Sequence, residues 1–250
     1  MGILLVFEIS LGLVATSILV GLAVAISVAI GTMLQARARR KEMAQLSKKL
    51  GGTVERPDRF KFPLSEFALL SFGVDPIFEN VIRLTNPAGS DYVTDLYASK
   101  GIQRLASGNA KGKIDVRNTM FIYERPSNKF PSFRLAPRVG VLSSESIAAL
   151  KQSRMGRLLF KDFYKGAVDL TKYPRFAKQF IVYGEDEYKI NRVMGAEERT
   201  LISSLGEISV EASGKWVVLF FQWRQLKAKQ IELLLPKLNQ LVEGFTKKGL

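Results

Sequence analysis

The sequence predicts an α+β protein: an N-terminal transmembrane helix followed by a mostly antiparallel sheet domain with packed helices. Three observations lead to this prediction. Residues 9–34 contain no ionisable side chain. From about residue 53, short apolar segments alternate with turn-forming residues, as in antiparallel sheets. Near its end the chain carries apolar residues at helical spacing, which predicts a helix that packs on the sheet.

The first of these segments is long enough to cross a bilayer. It runs for 26 residues without Asp, Glu, Lys or Arg, and about 20 apolar residues span the hydrocarbon core. A cleaved signal peptide would have a basic start and a shorter apolar run, whereas no Lys or Arg occurs before residue 37. We therefore expect residues 1–36 to form an uncleaved transmembrane anchor.

A basic segment follows directly and predicts the orientation of the anchor. Lysine and arginine accumulate on the cytoplasmic side of membrane helices, so we expect an external N-terminus and a cytoplasmic C-terminal domain. The opposite orientation, with a periplasmic domain, is the alternative. The same charges would contact anionic lipid. The six residues of this lipid and topology signal are Arg37, Arg39, Arg40, Lys41, Lys48 and Lys49.

Residues 37–52 are predicted to continue the helix past the membrane. Met43, Leu46 and Leu50 form one narrow apolar stripe at helical spacing. No helix-breaking residue occurs until Gly51-Gly52, which predicts a C-terminal cap. The segment is therefore expected to be a juxtamembrane basic helix.

Small residues recur at every fourth position of the predicted span: Ser17, Gly21, Ala25 and Ala29. Such a stripe lets a second helix approach closely. It predicts a helix–helix contact with an identical chain or with another membrane protein. The alternative is that a segment rich in Ala, Gly and Ser carries the stripe by composition alone.

Residues 53–250 are expected to form the soluble α+β domain, with a sub-boundary near residues 137–145. Val81–Thr85 and Tyr92–Ala98 flank the turn sequence NPAGSD and predict a hairpin. A second hairpin is predicted around ASGK, with WVVLFF as a buried strand. Thr119–Glu124 reads as a strand, and Pro131 makes Phe130–Leu135 an edge or irregular strand.

The remaining segments predict helices and one more strand. Ser144–Tyr164 has helical spacing, and Phe176–Tyr183 reads as a strand. A helix is expected from Gly184 to about Leu205. The last helix, around residues 231–245, contains Pro236, which we expect to kink it or to set a new start.

Composition excludes several classes of site. The chain has no Cys and no His, so disulfides, thiolate nucleophiles, zinc–thiolate sites and histidine-based triads are excluded. Gly108–Lys113 lacks the spacing of a phosphate-binding loop, and Glu185–Glu187 is interpreted as a helix start, because adjacent acids on a helix point in different directions. We expect no catalytic, cofactor-binding or metal-binding residue.

The charge balance points to anionic surroundings. The chain has 37 Lys and Arg against 23 Asp and Glu, a net charge of +14. A basic stripe at helical spacing could bind either anionic lipid or nucleic acid. Because the chain is expected to be anchored in a membrane, we favour lipid. The stripe consists of Lys151, Arg154, Arg157 and Lys161.

Several motifs follow one another in an order that resembles a loose group of bacterial membrane-anchored proteins with a domain of unknown function. The resemblance covers roughly residues 50–245 and rests on Asn80-Val81-Ile82, Asp91–Tyr97, Thr119–Glu124, Phe130–Pro137, Tyr173-Pro174-x-Phe176 and Phe180–Glu187. It implies one or two N-terminal spans, a cytoplasmic α+β domain and a location in the bacterial inner membrane. It implies no activity and no functional residues.

Together these patterns predict a single-pass membrane protein whose cytoplasmic domain binds and does not catalyse. Its expected partners are the lipid bilayer and either a second copy or another membrane protein. The alternative is a module that binds anionic lipid, or less readily nucleic acid, through its basic face. A third hypothesis is an enzyme of unfamiliar type, because chemistry by Ser and Lys needs no histidine. Salt separates the first two hypotheses, because binding by Lys and Arg weakens steeply with ionic strength.

Overall fold

The computed structural model describes residues 2–67, 74–101, 113–138, 166–184, 186–221 and 224–249. The chain divides into two compact units, residues 1–45 and residues 46–250. The predicted 144–164 helix, the basic stripe on it and most of the Gly108–Lys113 loop lie outside the described residues. The N-terminal apolar helix and the antiparallel sheet with its helices confirm the predicted α+β class.

Helix α1 spans Gly2–Lys49 and ends at the predicted glycine pair. Gly51 has a φ of +67°, a left-handed conformation that glycine adopts without strain. The amide of Gly52 donates to the carbonyl of Ser47 at 2.8 Å, and the amide of Gly51 donates to Lys48 at 3.3 Å. This pairing is the Schellman motif, which satisfies the last carbonyl groups of the helix.

The second unit is built on one eight-stranded antiparallel sheet in the order β1-β2-β3-β4-β8-β7-β5-β6. The strands are β1 Thr53–Glu55, β2 Val74–Asn86, β3 Gly89–Gly101, β4 Lys113–Glu124, β5 Phe130–Pro137, β6 Phe180–Gly184, β7 Ile208–Gly214 and β8 Trp216–Phe221. β4 pairs with β8, so strands on both sides of the expected sub-boundary belong to the same sheet.

Both predicted hairpins are confirmed. β2 and β3 pair up to Asn86 and Gly89, and the Asn86 side chain accepts a hydrogen bond from the amide of Ala88 at 2.9 Å, which stabilises the turn. β7 and β8 form the second hairpin. All six residues of Trp216–Phe221 are buried, as their apolar character on both strand faces predicts.

The structure corrects the edge position expected for Phe130–Leu135. β5 lies between β6 and β7 inside the sheet. A shift in register between Phe130 and Phe133 accommodates Pro131, which has no amide hydrogen to donate to the ladder. The expected irregularity is therefore present, but the edge position is wrong.

Phe176–Tyr183 is also corrected, because its first half is helical. Helix α2 spans Pro174–Gln179, and only the following residues form β6. Pro174 stands at the first turn of the helix, where its missing amide hydrogen costs nothing and its fixed φ favours helix. The alternating apolar residues of this segment predicted a strand and gave no indication of the short helix.

The helix expected from Gly184 to Leu205 is two helices, α3 Glu187–Val193 and α4 Ala196–Leu205, with Gly195 between them. The Asp186 carboxylate caps α3 by accepting a hydrogen bond from the amide of Lys189 at 3.0 Å. This bond also lowers the pKa of Asp186. Gly206, with a φ of +79°, ends α4 as predicted.

Helix α5 spans Ala228–Lys248 and continues through Pro236, so the new start that the proline suggested is wrong. Its apolar stripe packs on the sheet unit, and the members of the stripe are all buried: Ile231, Leu235, Leu238, Leu241, Val242 and Phe245. The Phe133 and Phe245 rings meet edge to face with centroids 6.0 Å apart.

An apolar cluster lies under residues 60–67, which include the short 3₁₀ turn Leu64–Glu66. Its aromatic contacts join this segment to the sheet, with the Phe60 and Tyr92 ring centroids 4.8 Å apart and those of Phe62 and Trp216 5.3 Å apart. The other buried members are Phe67, Val81, Leu96, Met120, Ile122, Val218 and Phe220.

Candidate membrane and partner interface

In the part of the chain that the structure describes, one helix is long and apolar enough to cross a membrane, Ser17–Lys49 within α1. The large apolar side chains of residues 18–34 are exposed, from 51% for Ile26 to 66% for Leu19, whereas Met43 and Leu46 further along the helix are buried. A core helix of a soluble protein would bury such residues. The hydroxyl groups of Ser27 and Thr32 donate to helix carbonyls at 2.8 Å, which satisfies them without water.

The four small residues proposed for helix contact all lie on exposed helix surface. A Cβ atom added at Gly21 would meet no atom within 4 Å, so this position is open to an approaching helix. The openness alone does not assign a partner, and the contact at Ser17, Gly21, Ala25 and Ala29 stays a prediction.

The predicted basic residues occupy different surroundings. Arg37, Arg40, Lys41 and Lys48 are exposed. Arg39 bonds to Glu42 within α1, with the Nη1 and Oε2 atoms 2.8 Å apart. Lys49 forms an ion pair with Glu232 of α5 at 2.5 Å. Within the second unit, this pair joins the last turn of α1 to the first half of α5.

Next to this ion pair, α5 and the last turn of α1 carry further exposed lysines on the surface of the second unit. We call this basic area the α5 patch; it consists of Lys48, Lys49, Lys229, Leu233 and Lys237. Leu233 is 67% exposed, and the four lysines are also exposed. Among the described residues, no carboxylate lies within ion-pair distance of Lys48, Lys229 or Lys237. The patch therefore combines clustered positive charge with one accessible apolar side chain.

A buried polar network fixes the segment that leads into α5. The Asp95 carboxylate accepts hydrogen bonds from Thr119 and Asn80, each at 3.0 Å. The Thr119 hydroxyl in turn accepts from the amide of Leu226 at 2.9 Å. Because the whole network is buried or half-buried and satisfied, it holds the start of α5 in one position on β4.

A second network ties the middle of α5 to the sheet. The Tyr123 hydroxyl donates to the Asn239 side chain at 2.9 Å. Nearby, the buried Arg125 guanidinium donates to Asp91 at 2.5 Å. Burial, with the Asp91 charge as a smaller cause, raises the pKa of Tyr123 well above its usual value. Tyr123 therefore stays neutral and remains a hydrogen-bond donor.

A third set of contacts holds the end of α5 against α4. Lys248 donates to the buried Glu198 carboxylate. The neighbouring Arg199 lies over the Tyr173 ring, 3.6 Å from its centroid, and donates to Asn191 at 2.7 Å. Desolvation lowers the pKa of Arg199. α5 is thus fixed at its start, middle and end, so the three patch residues that it carries, Lys229, Leu233 and Lys237, project from a rigid helix.

No sequence signal marked these networks, because their members come from distant strands and become neighbours only through the sheet register. The α5 patch was visible in part. Lys229, Leu233 and Lys237 are four residues apart and share one helix face. In the described part of the chain, no three acidic residues come together in an arrangement that would hold a metal ion.

Comparison with known proteins gives one informative similarity. No protein-family model matches the chain, and no curated protein matches it. The crystal structure of the mycobacterial trehalose monomycolate transport factor A, TtfA, is similar with a TM-score of 0.50 and 11% sequence identity. The match covers 82% of this chain and 93% of that chain. At this identity the similarity establishes that the two chains share a fold.

Proposed function

We propose that this protein is a membrane-anchored accessory factor whose second unit binds a membrane protein, such as a component of a transport system, or a second copy of itself. The observation that carries the proposal is the joining of a candidate membrane span to a rigid domain that shares its fold with a transport factor. In this proposal α1 keeps the domain at the bilayer, and the domain supplies binding surfaces and no catalysis.

The charges of α1 support an inner-membrane location with the second unit in the cytoplasm. Arg37, Arg40 and Lys41 are exposed directly after the apolar segment, where anionic lipid headgroups attract them by about 1 kcal/mol each. This contribution suits an anchor and a topology signal. The second candidate function is binding of anionic lipid, because the same basic residues would contact the lipid headgroups.

Affinity purification from native membranes tests the proposal. Full-length tagged protein, extracted in mild detergent, is expected to retain an integral membrane protein, or a second copy with a different tag, in near-stoichiometric amount. Because the apolar anchor of a protein interface is not screened by salt, part of this partner should remain at 0.5 M salt, whereas lipid held by Lys and Arg alone should be released. Recovery of the tagged protein alone at low salt would contradict the proposal.

The control replaces Arg37 and Arg40 with glutamine and leaves Arg39, Lys41, Lys48 and Lys49 in place, so that basic residues still follow the anchor. If the partner binds the second unit, this variant should retain it. If the protein chiefly binds anionic lipid, the variant should lose affinity for vesicles with phosphatidylglycerol, and no protein should accompany either form.

A further inference from the structure

We propose that the α5 patch is the docking surface for an acidic segment of the membrane-protein partner, with Leu233 as the apolar anchor and the surrounding lysines as its rim. This inference rests on the proposed function, since it specifies where the partner binds and what chemistry it presents. The surface lies entirely within the second unit.

Charge is the first reason for an acidic partner. The patch holds four lysines, and its one neighbouring carboxylate, Glu232, is already paired with Lys49 at 2.5 Å. Lys48, Lys229 and Lys237 have no described carboxylate within ion-pair distance. Aspartate and glutamate side chains on a partner would complement these ammonium groups, which accelerates association and excludes basic competitors.

The arrangement of α5 indicates that the patch binds a protein and not the lipid bilayer. A helix that lies in a membrane interface presents a broad apolar face to the lipid. The apolar face of α5 is buried on the sheet, and Leu233 is the one large apolar side chain on its outer face. A single exposed leucine suits an anchor in a protein interface better than a membrane attachment, which needs a continuous apolar face.

Rigidity is the third reason. Binding costs less when the contact residues are already ordered. Leu226, Asn239 and Lys248 hold the start, middle and end of α5 through buried or half-buried partners. The backbone under Leu233 is consequently preorganised, as an anchor residue requires.

Site-specific photocrosslinking in native membranes tests this inference on the full-length protein. A photoreactive residue at position 233 is expected to yield one discrete adduct with the membrane protein recovered by affinity purification. The matched control carries the same residue at position 188, since Tyr188 is 78% exposed on α3, and should yield at least tenfold less of that adduct.

Charge reversal provides the second arm. The K229E/K237E double variant is expected to reduce both the adduct and the recovered partner at least tenfold, since each like-charge contact with an acidic partner is strongly unfavourable. The neutral K229Q/K237Q variant should reduce them less. Both variants alter exposed side chains, so their unfolding midpoints should match that of the wild type.

The outcomes separate this inference from the proposed function. If K229E/K237E recovers as much partner as the wild type and position 233 yields no adduct, the α5 patch is not the docking surface. The proposed function is unaffected by that result. Recovery of no partner by the wild type overturns the proposed function itself. Adducts at position 233 with lipid or with a second copy also overturn the inference. The inference is also wrong if K229E/K237E no longer binds phosphatidylglycerol vesicles but still recovers the protein partner.

Discussion

Replacing Asp91 with alanine should lower the free energy of unfolding by about 3–5 kcal/mol, because it leaves a buried guanidinium without its carboxylate partner. Arg125 is 2% exposed, and its Nη1 atom lies 2.5 Å from Asp91 Oδ1. Water cannot replace the lost partner at this burial. Urea unfolding of the full-length protein in detergent, followed by tryptophan fluorescence, to which the buried Trp216 contributes, measures the change.

Two control variants isolate the cause. Lys215→Ala removes an exposed ion pair with Glu124 in the same region and should cost no more than about 1 kcal/mol. Substituting apolar residues for both partners, in D91L/R125M, should restore much of the stability lost in Asp91→Ala, because no uncompensated charge remains. A loss below 1 kcal/mol in Asp91→Ala would contradict the structure of this pair.

Replacing Phe245 with alanine should lower the free energy of unfolding by about 3–5 kcal/mol, since it opens a cavity between α5 and the sheet. Phe245 is fully buried, and its ring packs on that of Phe133. The same fluorescence measurement applies. The expected loss is large because α5 covers the sheet through a single apolar stripe, of which Phe245 is the last member.

The matched control is Lys247→Ala, two residues further along the same helix. Its side chain is exposed, so the change should lie within about 0.5 kcal/mol. Equal losses in the two variants would show that core packing does not determine the effect, because alanine itself favours helix at both positions. Such a result would contradict the placement of α5 on the sheet.

The class of fold could be predicted because hydrophobic periodicity is a local property. WVVLFF predicted a buried strand and ASGK a turn, and both are present in the β7–β8 hairpin. The glycine pair at residues 51–52 predicted the end of α1, since few other residues adopt its left-handed conformation. These features depend on residues close together in sequence.

The errors arose where tertiary contacts override local preference. Pro131 predicted an edge or irregular strand; the register shift makes β5 irregular, but the strand lies inside the sheet and not at its edge. Pro174 starts a short helix within a segment whose alternation predicted a strand. Pro236 was expected to kink the last helix or to set a new start; the new start does not occur, because buried residues on both sides of the proline keep the helix continuous.

The candidate interface was predictable only in part. The basic residues from Arg37 to Lys49 stand together in the sequence, so their cluster could be recognised. The α5 patch required the pairing of Lys49 with Glu232, two residues 183 positions apart. No pattern within one segment reports such a pairing, because it joins two helices that lie at opposite ends of the sequence.

The membrane anchor and its orientation are central to this account, and cysteine labelling tests them most directly because the natural chain contains no cysteine. Single variants Gly2→Cys and Tyr188→Cys are treated with a membrane-impermeant maleimide in intact spheroplasts and after permeabilisation. The account predicts labelling of Gly2→Cys in both conditions and of Tyr188→Cys only after permeabilisation. Labelling of Tyr188→Cys in intact spheroplasts would contradict a cytoplasmic second unit.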